Sequence, residues 1–211
     1  MKIAGIDYSM TSPGICLHDM DKPFTFENCK FYFLTDKKYL DGKLMHNVHG
    51  KYLDKKDYKT DIERFDAICQ WAIHKMELYF HSTTSEVALE GYSMGSKGRV
   101  FNIGENTGIL KHQILSYGWP LTIYSPKEIK MFAVNNSPID FSDFNKNKIL
   151  KPEMFDIFLE ETGTDLQAIL TPKKKKIDSP VGDIVDSYYI CKLLRENIEN
   201  DNKEITESQN Q

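Results

Sequence analysis

Four acidic residues stand at positions where an acid is costly unless it has work to do. Asp7 closes a short apolar run, residues 2–8 (Lys-Ile-Ala-Gly-Ile-Asp-Tyr), that predicts a buried strand. Ser12-Pro13-Gly14 turn chemistry and a second strand over 15–18 follow it. A carboxylate on a buried strand needs a partner, either an Arg or Lys side chain or a metal shared with other acids. Glu90 ends a second run of the same kind, residues 86–92 (Glu-Val-Ala-Leu-Glu-Gly-Tyr). Asp183 and Asp186 are spaced i, i+3 and share a face with Ile190, Leu193 and Leu194. The stripe that buries leucines thus carries two carboxylates inward one or two turns earlier. The helix dipole accounts for exposed first-turn acids better than for inward ones. If the strands of Asp7 and Glu90 are parallel neighbours and the last helix packs across them, all four acids converge. Four carboxylates without Cys or His are hard-oxygen ligands, suited to Mg²⁺ or Mn²⁺ rather than zinc. Two such ions about 4 Å apart activate a water and stabilise the leaving oxygen in phosphodiester hydrolysis, with no Ser, Cys or His nucleophile.

The elements that must position these acids read in order. Residues 24–34 predict a third strand, with Phe31 and Phe33 on one face, in an antiparallel meander with the first two. Residues 35–59 are dense in Lys, Asp, Tyr and Gly without a period, and predict a long loop, either a solvated excursion or a flap that touches substrate. His46 and His49 lie in it, and two loop histidines are more often nothing than a metal site. Residues 61–80 form an amphipathic helix with Ile62, Phe65, Cys69, Ala72, Ile73, Met76 and Phe80 inward. A small, polar and basic stretch, 93–101, leads to a helix over 109–117, a strand over 121–124, and a helix over 125–134 opened by Ser125-Pro126. Residues 135–147 read as loop, 152–162 as helix ending at Gly163, 173–176 as a tetralysine loop, and 179–196 as the last helix, with Ser179 as its N-cap.

At 211 residues the chain holds one domain with a real core. No run of about 18 apolar residues predicts a membrane span, and the start on a strand shows no secretory pattern, so a cytoplasmic protein with no membrane partner is expected. Cys16, Cys29, Cys69 and Cys191 form no CxxC pair and read as reduced, mostly buried thiols. The net charge is −4, and residues 196–211 carry five acids and one base, so the rest of the chain is neutral. Charge neither supports nor excludes a nucleic-acid partner. The domain is set at 1–195, and the acidic tail 196–211, poor in core residues, is expected to be disordered.

The order of these motifs resembles the ribonuclease H-like superfamily and, within it, the RuvC-type Holliday junction resolvases. The matching residues are Gly5-Ile6-Asp7, Leu89-Glu90 and Asp183-Ile184-Val185-Asp186-Ser187, the last resembling a terminal acid-x-x-Asp-Ala helix. Gly104-Glu105-Asn106-Thr107-Gly108 resembles the Gly-x-x-x-Gly helix start, Ser125-Pro126-Lys127-Glu128-Ile129-Lys130 the Pro-x-x-Val-Lys motif, and Lys151-Pro152-Glu153-Met154 the following Lys-x-x-Met/Val helix. Each motif alone is weak; together, in the right order, they are strong. Ser187 in place of Ala and the longer 35–59 and 135–147 stretches look more like a divergent, phage-type member than a standard bacterial one.

The resemblance implies an α/β fold with a mixed five-stranded sheet flanked by helices. It implies a crossover junction endodeoxyribonuclease of DNA recombination and repair, acting as a homodimer on branched DNA. Asp7, Glu90, Asp183 and Asp186 would be catalytic and would bind two Mg²⁺ ions, with Mn²⁺ able to substitute. Lys130 and Lys151 would meet phosphates near the scissile bond. Tyr92, Lys97, Arg99 and Phe101 would contact the junction or wedge it open. Lys173, Lys174, Lys175 and Lys176 would face the DNA backbone. A solvated lysine loop and core-facing salt bridges are the plainer readings of these lysines.

Three other readings use the same residues. A broader branched-DNA nuclease or another ribonuclease H-like nuclease needs the same four acids. An actin- or sugar-kinase-like ATP site matches the hairpin after Asp7, but the chain lacks a second phosphate loop and a second such domain. An inactive scaffold of the same fold has no need to keep all four acids.

Overall fold

The computed structural model describes residues 1–81, 83–92, 99–139 and 149–209. Its centre is a mixed sheet whose first strands form a meander, β1 (Lys2–Asp7), β2 (Gly14–Asp19) and β3 (Cys29–Thr35). After two short strands, β4 (Gly42–Lys43) and β5 (Val48–Tyr52), the chain enters the helix α1 (Asp61–Phe80). A Thr60/Glu63 capping box starts α1, satisfying orphan N–H groups of its first turn. Then come β6 (Ser85–Glu90), α2 (Val100–Ser116), β7 (Leu121–Tyr124), α3 (Pro126–Asn135), α4 (Lys151–Thr162), α5 (Leu166–Leu170) and α6 (Val181–Gln209).

The strand order is β4-β5-β3-β2-β1-β6-β7, seven strands where five were expected. The five expected strands are the contiguous set from β3 to β7. The extra two come from residues 35–59, read from sequence as a loop. Val48–Tyr52 pairs in parallel with β3, and Gly42–Lys43 pairs antiparallel with β5. Their residues show no clean alternation because β4 is two residues long and Gly50 tucks under the Leu40 carbonyl, where a Cβ would stand 2.0 Å away.

Side chains alternate across the sheet and divide the core in two. Ile3, Cys16, Phe31, Phe33 and Ala88 face the layer of α3, α4 and α6, while Ala4, Ile6, Ile15, Leu17, Val87 and Leu89 face α1 and α2. Asp7 has the parity of Ile3, and Glu90 that of Ala88, so both acids fall on the α6 side. β1 runs parallel to β6, with Ile6 opposite Leu89, so their C-terminal ends bring the two acids to one end of the sheet.

α6 lies on β1 and β2 at backbone distance. A Cβ on Gly5 would stand 2.3 Å from the Cys191 nitrogen, and one on Gly14 would stand 2.4 Å from the Asp183 carbonyl oxygen. These two glycines let the helix come down onto the strand that carries Asp7. All four cysteines are buried and none is in a disulfide. No helix among the described residues is long and apolar enough to cross a membrane.

The segment expected to be a disordered tail continues α6 as far as Gln209. Its first turns are tied down: Ile198 packs on the core, Asn197 Nδ2 donates to the Tyr124 hydroxyl at 2.8 Å, and Arg195 pairs with Glu199 at 2.7 Å. Poverty in apolar residues ruled out a core but not the extension of a helix already nucleated by one.

Candidate active site

Asp7 and Glu90 end adjacent parallel strands, and Asp183 and Asp186 occupy the first two turns of α6 on the same side of the sheet. Asp183 is 4% exposed; the other three are partly covered. The four charges feel one another. Burial first, then Asp183, Asp186 and Glu90, push the Asp7 carboxyl well above the usual carboxylate range, against the pull of Lys151. Burial raises Glu90 as well, offset by Lys130, Lys151 and a hydrogen bond shared with Asp7. Asp186 is pushed up to about 7 by burial and by Glu90, with Lys151 and Lys130 working the other way.

Lys151, the first residue of α4, points into this cluster, its Nζ 3.4 Å from Asp183 Oδ1. A cation at a helix N-terminus opposes the helix dipole. Burial alone would lower the Lys151 ammonium, yet Asp183, Asp186 and Asp7 raise it above the ordinary lysine value. Gly182 gives it room: a Cβ there would stand 3.0 Å from Lys151 Nζ. Asp183 also accepts a hydrogen bond from Ser12 Oγ at 3.0 Å, and Ser12 Oγ lies 2.9 Å from Ser179 Oγ. The carbonyl of Ser179 in turn accepts from Lys37 Nζ at 2.6 Å.

By kind and charge this donor set suits a hard divalent cation. Carboxylates held above their usual range by burial and by neighbouring acids are those a cation would relieve. Among the described residues, no three such side chains already close on a common point that could hold an ion. The cluster has its acids and one ammonium in place.

A cleft of about 410 Å³ opens beside Asp7 and Glu90, lined also by Ser9, Thr11, Tyr92, Arg99, Ile103 and Asn106. Of the residues expected to meet DNA, Tyr92 stands 47% exposed with Lys111 Nζ 4.5 Å from its ring centroid. Arg99 is exposed on the cleft wall, and Phe101, in the first turn of α2, is 87% exposed. Lys130 on α3 acts electrostatically on Glu90 and Asp186. Lys97 lies outside the described residues. In the tetralysine segment Lys173, Lys175 and Lys176 are exposed, whereas Lys174 is paired with Asp178.

Sequence reasoning missed Ser12, Lys37 and Asn106. Ser12 was read only as turn chemistry; a hydroxyl in the hairpin after an acid-bearing strand was the available signal. Lys37 carried none, because its contact spans 142 positions. Asn106 sat unexamined between the two glycines of the Gly-x-x-x-Gly match.

No protein-family model matches the chain, and no curated protein matches it in sequence. Solved structures do. RuvC of T. thermophilus in complex with a Holliday junction substrate is similar at a TM-score of 0.50 and 14% identity, with 90% of each chain covered. The fold is that of RuvC. The RuvC fold therefore supplies the mixed sheet with flanking helices expected from sequence, with two further strands at one edge. A Fowlpox virus resolvase bound to Holliday junction DNA (TM-score 0.46, 14% identity, 94% of this chain and 99% of that one) is a weaker likeness. So is the yeast mitochondrial Holliday junction resolvase Ydc2 (0.46, 13%, 96% and 83%).

Proposed function

We propose that this chain is a metal-dependent, structure-specific DNA endonuclease that resolves four-way junctions by paired phosphodiester hydrolysis. The observation that carries the reading is the convergence of Asp7, Glu90, Asp183 and Asp186 from two strand ends and one helix onto one side of the sheet, where burial raises Asp7, Glu90 and Asp186 and neighbouring acids add to it. The RuvC fold, one example of which was solved with a Holliday junction substrate, supports a junction as substrate class.

Asp7, Glu90, Asp183 and Asp186 would hold two Mg²⁺ ions, or Mn²⁺. Bound there, such ions supply positive charge to the attacking and leaving oxygens of an in-line displacement. The chain's own residues do the rest. Ser12 holds the Asp183 carboxylate in orientation. Lys151 and Lys130 neutralise acids in the free protein and turn to the phosphates flanking the scissile bond when DNA arrives. Arg99, Tyr92 and Phe101 contact the strands at the branch, an aromatic face serving as a stacking platform. Lys173, Lys175 and Lys176 contact backbone phosphates, an attraction that weakens steeply with salt. Two copies related by a two-fold axis would cut two symmetric strands.

The test is cleavage of an end-labelled four-way junction, fork, flap and linear duplex, with Mg²⁺ and with EDTA. Paired symmetric nicks in the junction, dependent on metal, are expected. Cuts spread over forks and flaps would keep the site and broaden the substrate to branched DNA. No cutting, with ATP turnover instead, would overturn the reading.

A further inference from the structure

The cleft beside Asp7 and Glu90 contains a polar side chain that nothing among the described residues engages. Asn106, on α2, is 1% exposed, and among the described residues neither its amide nitrogen nor its amide oxygen has a hydrogen-bond partner. The hydroxyl of Tyr8, whose residue lines the same cleft, is also buried without a partner. Buried amides in native proteins are almost always paired, because an unmade hydrogen bond leaves the full cost of desolvation. A leucine-sized apolar residue would fill the position without that cost. An amide there has meaning if something that enters the cleft completes it.

The cleft walls say what that is. Two of the acids that would act on a phosphodiester, Asp7 and Glu90, line it. Arg99 and the Tyr92 ring form the outer wall, with the Lys111 ammonium already on one face of that ring. A volume of about 410 Å³ admits a nucleobase with room to spare. An asparagine amide offers one donor and one acceptor side by side, the complement of adenine's N6 amino group and N7. We infer that Asn106 reads the base of the nucleotide adjoining the scissile phosphate, with adenine preferred, making it a specificity-determining residue of the proposed nuclease. The inference rests on the nuclease reading.

The test uses the full chain and Mg²⁺ with four-way junctions that differ only at the nucleotide next to the cut, carrying adenine, purine, guanine, cytosine or thymine. A bidentate pair predicts cutting beside adenine about tenfold faster than beside the others. Purine, which lacks the 6-amino donor, should fall with the poor substrates. Asn106→Leu is expected to bring the ratios near one without lowering Tm, since it removes an unpaired amide. Asn106→Asp, an acceptor only, should move the preference toward cytosine, whose 4-amino group donates; it carries the test if the leucine variant does not fold. Equal cutting of every junction by the wild type would overturn the inference and leave the nuclease standing. So would a preference that survives both substitutions, which would mean that an enclosed water satisfies the amide. Absence of metal-dependent cutting on any junction would overturn the nuclease and this inference with it.

Discussion

Lys151 Nζ lies 3.4 Å from Asp183 Oδ1, and the same ammonium acts on Asp7, Glu90 and Asp186 as well. Without metal it is a counter-charge shared by the four carboxylates, with Lys130 acting beside it on Glu90 and Asp186. Replacing it by Met keeps the stem and deletes the charge. Because the lysine is 47% exposed, solvent screens part of the loss, and a destabilisation of about 1–3 kcal/mol is expected in EDTA. Mg²⁺ should restore most of it, because the cation relieves the same acids. The check is Tm of wild type and Lys151→Met in EDTA and in Mg²⁺. Equal Tm values in EDTA would show that Lys151 is not the counter-charge.

The same cluster sets an unusual pH dependence. Burial and the Glu90 charge push Asp186 up to about 7 in the folded chain, against about 4 when unfolded. Between those values the native state holds a proton that the unfolded state has released. Stability therefore falls as pH rises from about 4 to about 7 and levels off above. Asp7, also raised, adds to the same trend. The metal-free protein should gain several degrees of Tm between pH 8 and pH 6, opposite to a protein whose carboxylates are paired. Asp186→Asn should be more stable than wild type at pH 8, by at most about 4 kcal/mol, and should show a smaller gain on acidification. A wild type that loses Tm over that window in EDTA would contradict the site's electrostatics.

How much of this was legible in the sequence depends on the range of the signal. Asp7 and Glu90 were readable because each closes an apolar run, and period two puts them on the α6 face. Asp183 and Asp186 were readable because the helical period ties them to Ile190 and Leu194, both of which the structure buries. Strands β4 and β5 were not readable, since β4 is two residues long and β5, which joins it to β3, carries Gly50 beneath Leu40 instead of a clean alternation. The extension of α6 was misread because composition reports the capacity to bury, not the capacity to continue a helix. Ser12 and Lys37 join the site through contacts across 171 and 142 positions, which no local pattern encodes.

Asp7 separates chemistry from binding. It lies on the cleft wall and feels all three other acids. Asp7→Asn removes one negative charge from a site that must admit a phosphate. Cleavage should be lost, junction affinity should be unchanged or stronger, and Tm in EDTA at pH 8 should rise as repulsion is relieved. The measurements are single-turnover cleavage and a junction-binding titration on the same preparation. Undiminished cleavage by Asp7→Asn would sink the four-carboxylate site.

The end of α6 has two parts with different expected behaviour. Asn197 bonds to the Tyr124 hydroxyl, Ile198 packs on the core, and Glu199 pairs with Arg195, whereas Asp201 to Ser208 are exposed. Among the described side chains, removing residues 201–211 takes away only exposed ones, and Tm should stay within about 2 °C, a change of under about 1 kcal/mol. Removing 197–211 takes away the Ile198 packing and leaves the Tyr124 hydroxyl without its partner. A loss of about 1–3 kcal/mol is then expected. Thermal melts of the two truncations against the full chain decide it. If both melt like the full chain, the contacts of Asn197 and Ile198 contribute nothing, and the helix beyond Glu196 is as dispensable as its composition suggests.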